Sequence, residues 1–193
     1  MSGFKVRTDL ALEARENVEE GAEELRGVTV EETYDEESEV KVTRVVIESK
    51  NSAKLLGKPI GTYITLEAPA MAQPDEEYHK EISDELAKQL KNIIPGTEDE
   101  ISVMVVGLGN RDVTADALGP NVVDNLTITR HMVKEFGKAA YGKNRIHMIS
   151  GLIPGVMAKT GMESAEIIKG VVEKTRPDVV VVVDALAARS TKR

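Results

Sequence analysis

Residues 103–120 read VMVVGLGNRDVTADALGP. An apolar run that begins at Ile101 stops at Gly107-Leu108-Gly109, and a polar stretch carrying Asp112 and Asp116 follows. Residues 101–106 are nearly all apolar, the pattern of a strand buried on both faces in a parallel sheet. Two uses of such a strand end compete. Glycines after a strand can cradle a phosphate. A strand end can also present a carboxylate, because open parallel sheets bind ligands beyond the carboxyl ends of their strands.

The phosphate reading is the weaker one. Gly107 and Gly109 supply the first two glycines of G-x-G-x-x-G, but the third position is Asp112. A glycine there would let helix and strand pack closely, and a carboxylate would repel a pyrophosphate. A second candidate, GKAAYGKN at residues 137–144, ends in Asn144 rather than the Ser or Thr that binds magnesium. It reads as a helix stop with Gly137 or Gly142 near the C-cap.

The carboxylate reading draws on a second strand. Residues 179–183 are five valines, and Asp184 follows them. Two parallel strands ending at one edge would bring Asp116 and Asp184 together. Two carboxylates held close cannot both ionise cheaply, so such a pair shares a proton. One then acts as base toward water while the other protonates or polarises a carbonyl. The competing use is structural: an aspartate after a strand often caps a helix or orders a turn. Asp112 is read as ordering the loop, and Asp124 as an exposed helix residue.

Elsewhere the chain reads as strands over residues 28–33, 40–47 and 60–66, with an acidic turn at 35–39. Helical spacing covers residues 10–25, 78–90, 121–136 and 162–174, and residues 145–150 form a short strand. After Ile101 the order strand, helix, strand predicts a mainly parallel α/β sheet flanked by helices. The β-rich part before it predicts an added N-terminal α+β lobe over residues 10–100, with the α/β core over 101–193.

Composition bounds the function. The 193 residues are 41% hydrophobic, enough for one core with an attached lobe. There is no cysteine, which excludes disulfides and thiol nucleophiles. The net charge is −8 and no dense Lys/Arg cluster occurs, which disfavours direct nucleic-acid binding. No apolar stretch is long enough for a membrane, and the N-terminus lacks a signal-peptide core, so a cytoplasmic location is expected. Ser190 has no base near it in sequence. His79 is read as exposed, and His131 and His147 as structural. A metal held by Asp116, Asp184 and one histidine is conceivable, but neither a metal nor a cofactor is expected.

Long motifs then carry a resemblance. GLGNRDVTADALGP, SGLIPGVMAKTGMESAEI, PDVVVVVDALAARS, VRTDLALEA and GKPIGTYITLEAP resemble the germination proteases of bacterial spores, over essentially the whole chain. The resemblance implies a core similar to that of hydrogenase-maturation proteases. It implies an endopeptidase that degrades small acid-soluble spore proteins at germination, in the spore core, as a homotetramer. The family's two functional aspartates fall on Asp116 and Asp184. Its members are zymogens, and their self-cleavage site falls on Thr8-Asp9-Leu10-Ala11, so the cut would separate Asp9 from Leu10 and residues 1–9 would be a propeptide. Chains of the family continue well past the Asp184 motif, so the core here is expected to be incomplete at its C-terminal end. The alternatives are a nickel-dependent maturation protease and a non-catalytic nucleotide-binding module built on Gly107 and Gly109.

Overall fold

The computed structural model describes residues 26–36, 38–137 and 146–185. The helix expected over residues 10–25, the Asp9–Leu10 bond, most of GKAAYGKN and the chain after Ala185 lie outside the described residues. The described residues separate into two compact units, one ending at Ile93 and one running from Ile94 to Ala185.

The first unit is built on an antiparallel sheet of β1 (Val28–Asp35), β2 (Val40–Ile47) and β3 (Gly61–Glu67), with β2 in the middle. Register runs from Val28 opposite Ile47 to Asp35 opposite Val40, and from Lys41 opposite Glu67 to Ile47 opposite Gly61. Successive side chains of a strand point to opposite faces. In β2 the buried face changes along the strand. Val40 and Val42 pack with Ile82, Ile64, Leu66 and Tyr78 on one face. Val45 and Ile47 pack with Leu56, Val28, Val30 and Tyr63 on the other.

Two helices supply those partners. Helix α1 (Lys50–Leu56) is short and has no strong apolar stripe, so its ends define it. Ser49 Oγ accepts the Ser52 N–H at 3.0 Å, and Gly57 ends the helix at φ 64°. Helix α2 (Glu76–Ile93) starts at Asp75, whose Oδ1 accepts the N–H groups of Glu77 and Tyr78. Its Ile82 is buried in the first cluster. No helix among the described residues is long and apolar enough to cross a membrane.

The second unit is built on a parallel sheet in the order β5-β4-β6: β5 (Met148–Leu152), β4 (Ser102–Gly107) and β6 (Val179–Val183). Central β4 buries Met104 and Val106 on one face, to 2% and 0% exposure, and Val105 on the other, to 9%, as a strand covered on both sides should. Strand β6 lies at the edge of the described sheet, and its Val180 and Val182 keep 38% and 50% exposure. Both ends of β6 are fastened to β4. Asp178 exchanges two hydrogen bonds with Ser102, through its carboxylate at 2.7 Å and its own N–H at 2.8 Å. Leu108 N donates to Val183 O at 2.8 Å.

The continuous helix expected over residues 121–136 is two helices, α3 (Leu118–Asp124) and α4 (Arg130–Phe136). The break has a physical cause. Thr129 is pinned to β5: its N–H donates to Ile149 O at 3.0 Å, its hydroxyl donates to His147 O at 2.5 Å, and the same oxygen accepts Ile149 N–H at 2.9 Å. Gly137 caps α4 with a bond to Val133 O. Two further helices follow β5. They are α5 (Met157–Thr160) and α6 (Ser164–Thr175), the latter opened by a capping box between Glu163 and Glu166. The short strand begins at Met148 rather than at residue 145.

Candidate active site

Asp116 and Asp184 both sit at the carboxyl-terminal end of the parallel sheet. Gly107 of β4 pairs with Val183 of β6, and Asp184 is the next residue. Asp116 returns to the same strand end through a loop. Its Oδ2 accepts the Asn110 N–H at 2.8 Å, and its carbonyl oxygen accepts the same N–H at 3.1 Å. A short path therefore links the two: Asp184 follows Val183, Val183 O holds Leu108 N, and Asn110, two residues on, holds Asp116. Asp116 is half-buried and Asp184 exposed. The Asp184 carboxylate accepts only the N–H of its neighbour Ala185, at 2.9 Å, among the described residues.

Glycines make this edge possible. A methyl group built on Gly119 would lie 2.3 Å from Leu108 O and 2.5 Å from Val183 O, so α3 starts directly against the two strand ends. Gly109 has φ 114°, and a methyl group there would fall 2.0 Å from Asp116 O. Only glycine lets the loop fold back that closely.

The loop's own hydrogen bonds answer the question raised by the glycines. The N–H groups of Leu108, Asn110, Asp112 and Val113 already have protein acceptors: Val183 O, Asp116, Asn110 Oδ1 and Asn110 O. A phosphate cradle needs such groups free and pointing outward. At these four amides the stretch is a turn closed by its own hydrogen bonds.

The cations nearby are matched to other carboxylates. Arg111 Nη2 binds both Asp124 oxygens, at 2.9 and 2.8 Å. Lys159, on α5, binds Asp112. That hydrogen bond, then the Lys159 charge, then Arg111, hold the Asp112 carboxyl below the usual carboxylate range. Among the described residues neither Asp116 nor Asp184 has a cationic partner. Asp112 thus orders the loop, and Asp124 is exposed at the end of α3. The Asp112 link to Lys159, 47 residues away, left no trace in the sequence pattern.

The histidines lie elsewhere. His147 Nδ1 accepts the Ile101 N–H at 3.3 Å, beside the amino-terminal end of β4 and the far end of the strands from Asp116. His131 is exposed on α4. His79, expected to be exposed, is half-buried in the first unit, with Nε2 3.2 Å from Met71 O. The carbonyl in the turn at residues 69–72 draws the ring in. Among the described residues no group of three or more His, Asp or Glu is arranged to hold a metal.

Similarity to known proteins runs along the same stretch. The family model described as Germination protease matches residues 6–193. The chain is 44% identical over 188 residues to a germination protease of Caldanaerobacter subterraneus subsp. tengcongensis, covering 97% of this chain and 56% of that one. It is 43% identical over 191 residues to one of Clostridium tetani, covering 98% and 58%, and 41% identical over 201 residues to one of Priestia megaterium, covering 100% and 53%. The chain spans about half the length of the curated relatives it matches. A match over residues 6–193 places Asp116, Asp184 and the strands that carry them inside the shared region, and the chain belongs to the germination protease family.

Proposed function

We propose that this chain carries the catalytic pair of an endopeptidase that starts the degradation of small acid-soluble spore proteins during germination. The observation that carries the reading is the meeting of two strand ends, Gly107 with Val183, each followed by a loop bearing an aspartate. The two aspartates work on one water and one peptide carbonyl. One carboxylate removes a proton from the water as it attacks the carbonyl carbon. The other, protonated, donates to the carbonyl oxygen. As the C–N bond breaks, the proton taken from water passes to the leaving amine, and a hydroxyl of the gem-diol returns a proton to the other carboxylate. Asp116, half-buried and held by a backbone donor, is the fixed member; Asp184, exposed, is the open one.

The rest of the reading follows the family. The α/β core over residues 101–193 has the hydrogenase-maturation protease arrangement, with residues 10–100 as its added lobe. The protein is a homotetrameric zymogen of the spore core, and self-cleavage between Asp9 and Leu10 releases residues 1–9.

The test is cleavage of a small acid-soluble spore protein, followed by intact-mass spectrometry of both substrate and enzyme. The parent should cut the substrate and lose its own residues 1–9. Asp116→Asn and Asp184→Asn should each lower kcat by about 10³-fold or more while staying folded. Unimpaired cleavage by both variants would remove the paired-aspartate mechanism.

A further inference from the structure

Asn110 holds Asp116 through its backbone, a contact that no pattern in the sequence announced. Its backbone N–H donates to Asp116 Oδ2 at 2.8 Å and to Asp116 O at 3.1 Å. Its side-chain Oδ1 accepts the Asp112 N–H at 3.1 Å, and its carbonyl accepts the Val113 N–H at 3.1 Å. Val113 O in turn accepts the Asp116 N–H at 2.8 Å. One residue therefore closes the turn that starts the loop and receives the carboxylate that ends it.

We infer that Asn110 is a positioning residue: its side chain fixes the turn at residues 110–113 so that its own N–H meets the Asp116 carboxylate. The inference rests on the reading of Asp116 as one of the catalytic pair. The chemistry favours asparagine or aspartate at this place. Both have a short side-chain oxygen that can accept an N–H two residues ahead, which holds a turn without help from the rest of the fold. Alanine has no such oxygen. Without the turn, the Asn110 N–H is no longer aimed at Asp116. Gly109 provides the other half of the arrangement, since its φ of 114° lets the Asp116 carbonyl approach. A misplacement of about 1 Å in a reacting group can cost about 10²-fold in rate.

The experiment compares Asn110→Ala and Asn110→Asp in the full chain. It reads kcat and KM on a small acid-soluble spore protein, thermal stability, and hydrogen-exchange protection of the residue-110 amide. Asn110→Ala should lower kcat by about 10-fold to 10²-fold with KM within about 2-fold of the parent. Asn110→Asp should recover most of that loss, because it restores the acceptor. The residue-110 amide should be protected in the parent and in Asn110→Asp, should lose protection in Asn110→Ala, and should keep only part of it in Asp116→Ala, where the Asp116 carbonyl is the one remaining acceptor of the two. An Asn110→Ala variant with full kcat overturns the inference. So does equal loss in both Asn110 variants alongside equal loss of thermal stability, which would mark a merely structural role. Protection in Asp116→Ala equal to that of the parent also overturns it, since the carboxylate would then add nothing to the hold of the Asp116 carbonyl on the amide. The amide readings need no catalysis. Should Asp116→Asn and Asp184→Asn both cleave normally, the proposed function falls while the amide pattern still decides whether Asn110 holds Asp116.

Discussion

The described residues form two three-stranded sheets that solve the same problem in opposite ways. The antiparallel sheet joins neighbours in sequence. Its ion pairs, Glu32 with Lys41 and Glu31 with Arg44, cross between adjacent strands. Its core is divided between two helices that cover opposite ends of opposite faces. The parallel sheet joins residues far apart. Ser102 meets Asp178, and Leu108 meets Val183. Parallel strands need crossovers, so their ends come together only when the whole unit is folded. That is why the candidate site is there. The proposed pair, Asp116 and Asp184, draws on such a meeting of distant strand ends, whereas the antiparallel sheet joins sequence neighbours.

One methyl group, added on the helix against the ends of one sheet and removed from the core of the other, tests this contrast. The larger effect is expected for Gly119→Ala. The new methyl would sit 2.3 to 2.6 Å from backbone atoms of Leu108 and Val183, and backbone cannot rotate aside as a side chain can. Overpacking of this kind costs about 3 kcal/mol or more. Hydrogen exchange should accelerate in β4 and β6 and stay unchanged in β2. Equal acceleration in β2 would mean that the two units open as one, and the contrast would lose its meaning.

Ile47→Val removes a methyl from the antiparallel core, where Ile47 is 1% exposed against Val45 and Leu56. The expected cost is about 1 kcal/mol, because the remaining side chain still fills most of the space. Denaturant unfolding followed by exchange in β2 measures it. A cost above that of Gly119→Ala would show that the local sheet is the less tolerant of the two.

Much of this architecture was legible. Five valines mark β6 at residues 179–183, the bounds at which it is found, because a β-branched run favours a strand over a helix. The hairpin of β1 and β2 followed from two β-branched runs on either side of an acidic turn. Other features were hidden for identifiable reasons. Helix α1 has no clear apolar period; Ser49 and Gly57 at its ends were the only signal. The break between α3 and α4 depends on Thr129 bonding to β5, a tertiary contact that periodicity cannot carry. Asp116 and Asp184 could be nominated from strand ends alone. The bond from Asn110 to Asp116 could not, because it depends on a backbone turn made possible by the positive φ of Gly109. The pairing of Asp112 with Lys159 was hidden for a different reason: it is a tertiary contact from the loop after β4 to helix α5 after β5.

That pairing gives the smallest expected effect, and it separates the two sheets by pH. Lys159 holds the Asp112 carboxyl below the usual carboxylate range, first by a hydrogen bond and then by its charge. A carboxyl lowered on folding contributes stability above its unfolded pKa, about 3.9 for aspartate, and loses it as pH falls through the lower folded value. Lys159→Met should therefore match the parent in strong acid and melt slightly below it near neutral pH. Both side chains are exposed, at 58% and 69%, so the difference should be small and should shrink in high salt. Thermal melts of the two proteins between strong acid and neutrality, at low and high salt, read it directly. Lys41→Met, which removes a cross-strand pair from the antiparallel sheet, is the matched control. If only Lys159→Met alters exchange in the 108–117 loop, the bridge ties the parallel sheet's loops together. If the melting gap widens toward acid instead of closing, the Asp112–Lys159 bridge has no part in holding that edge.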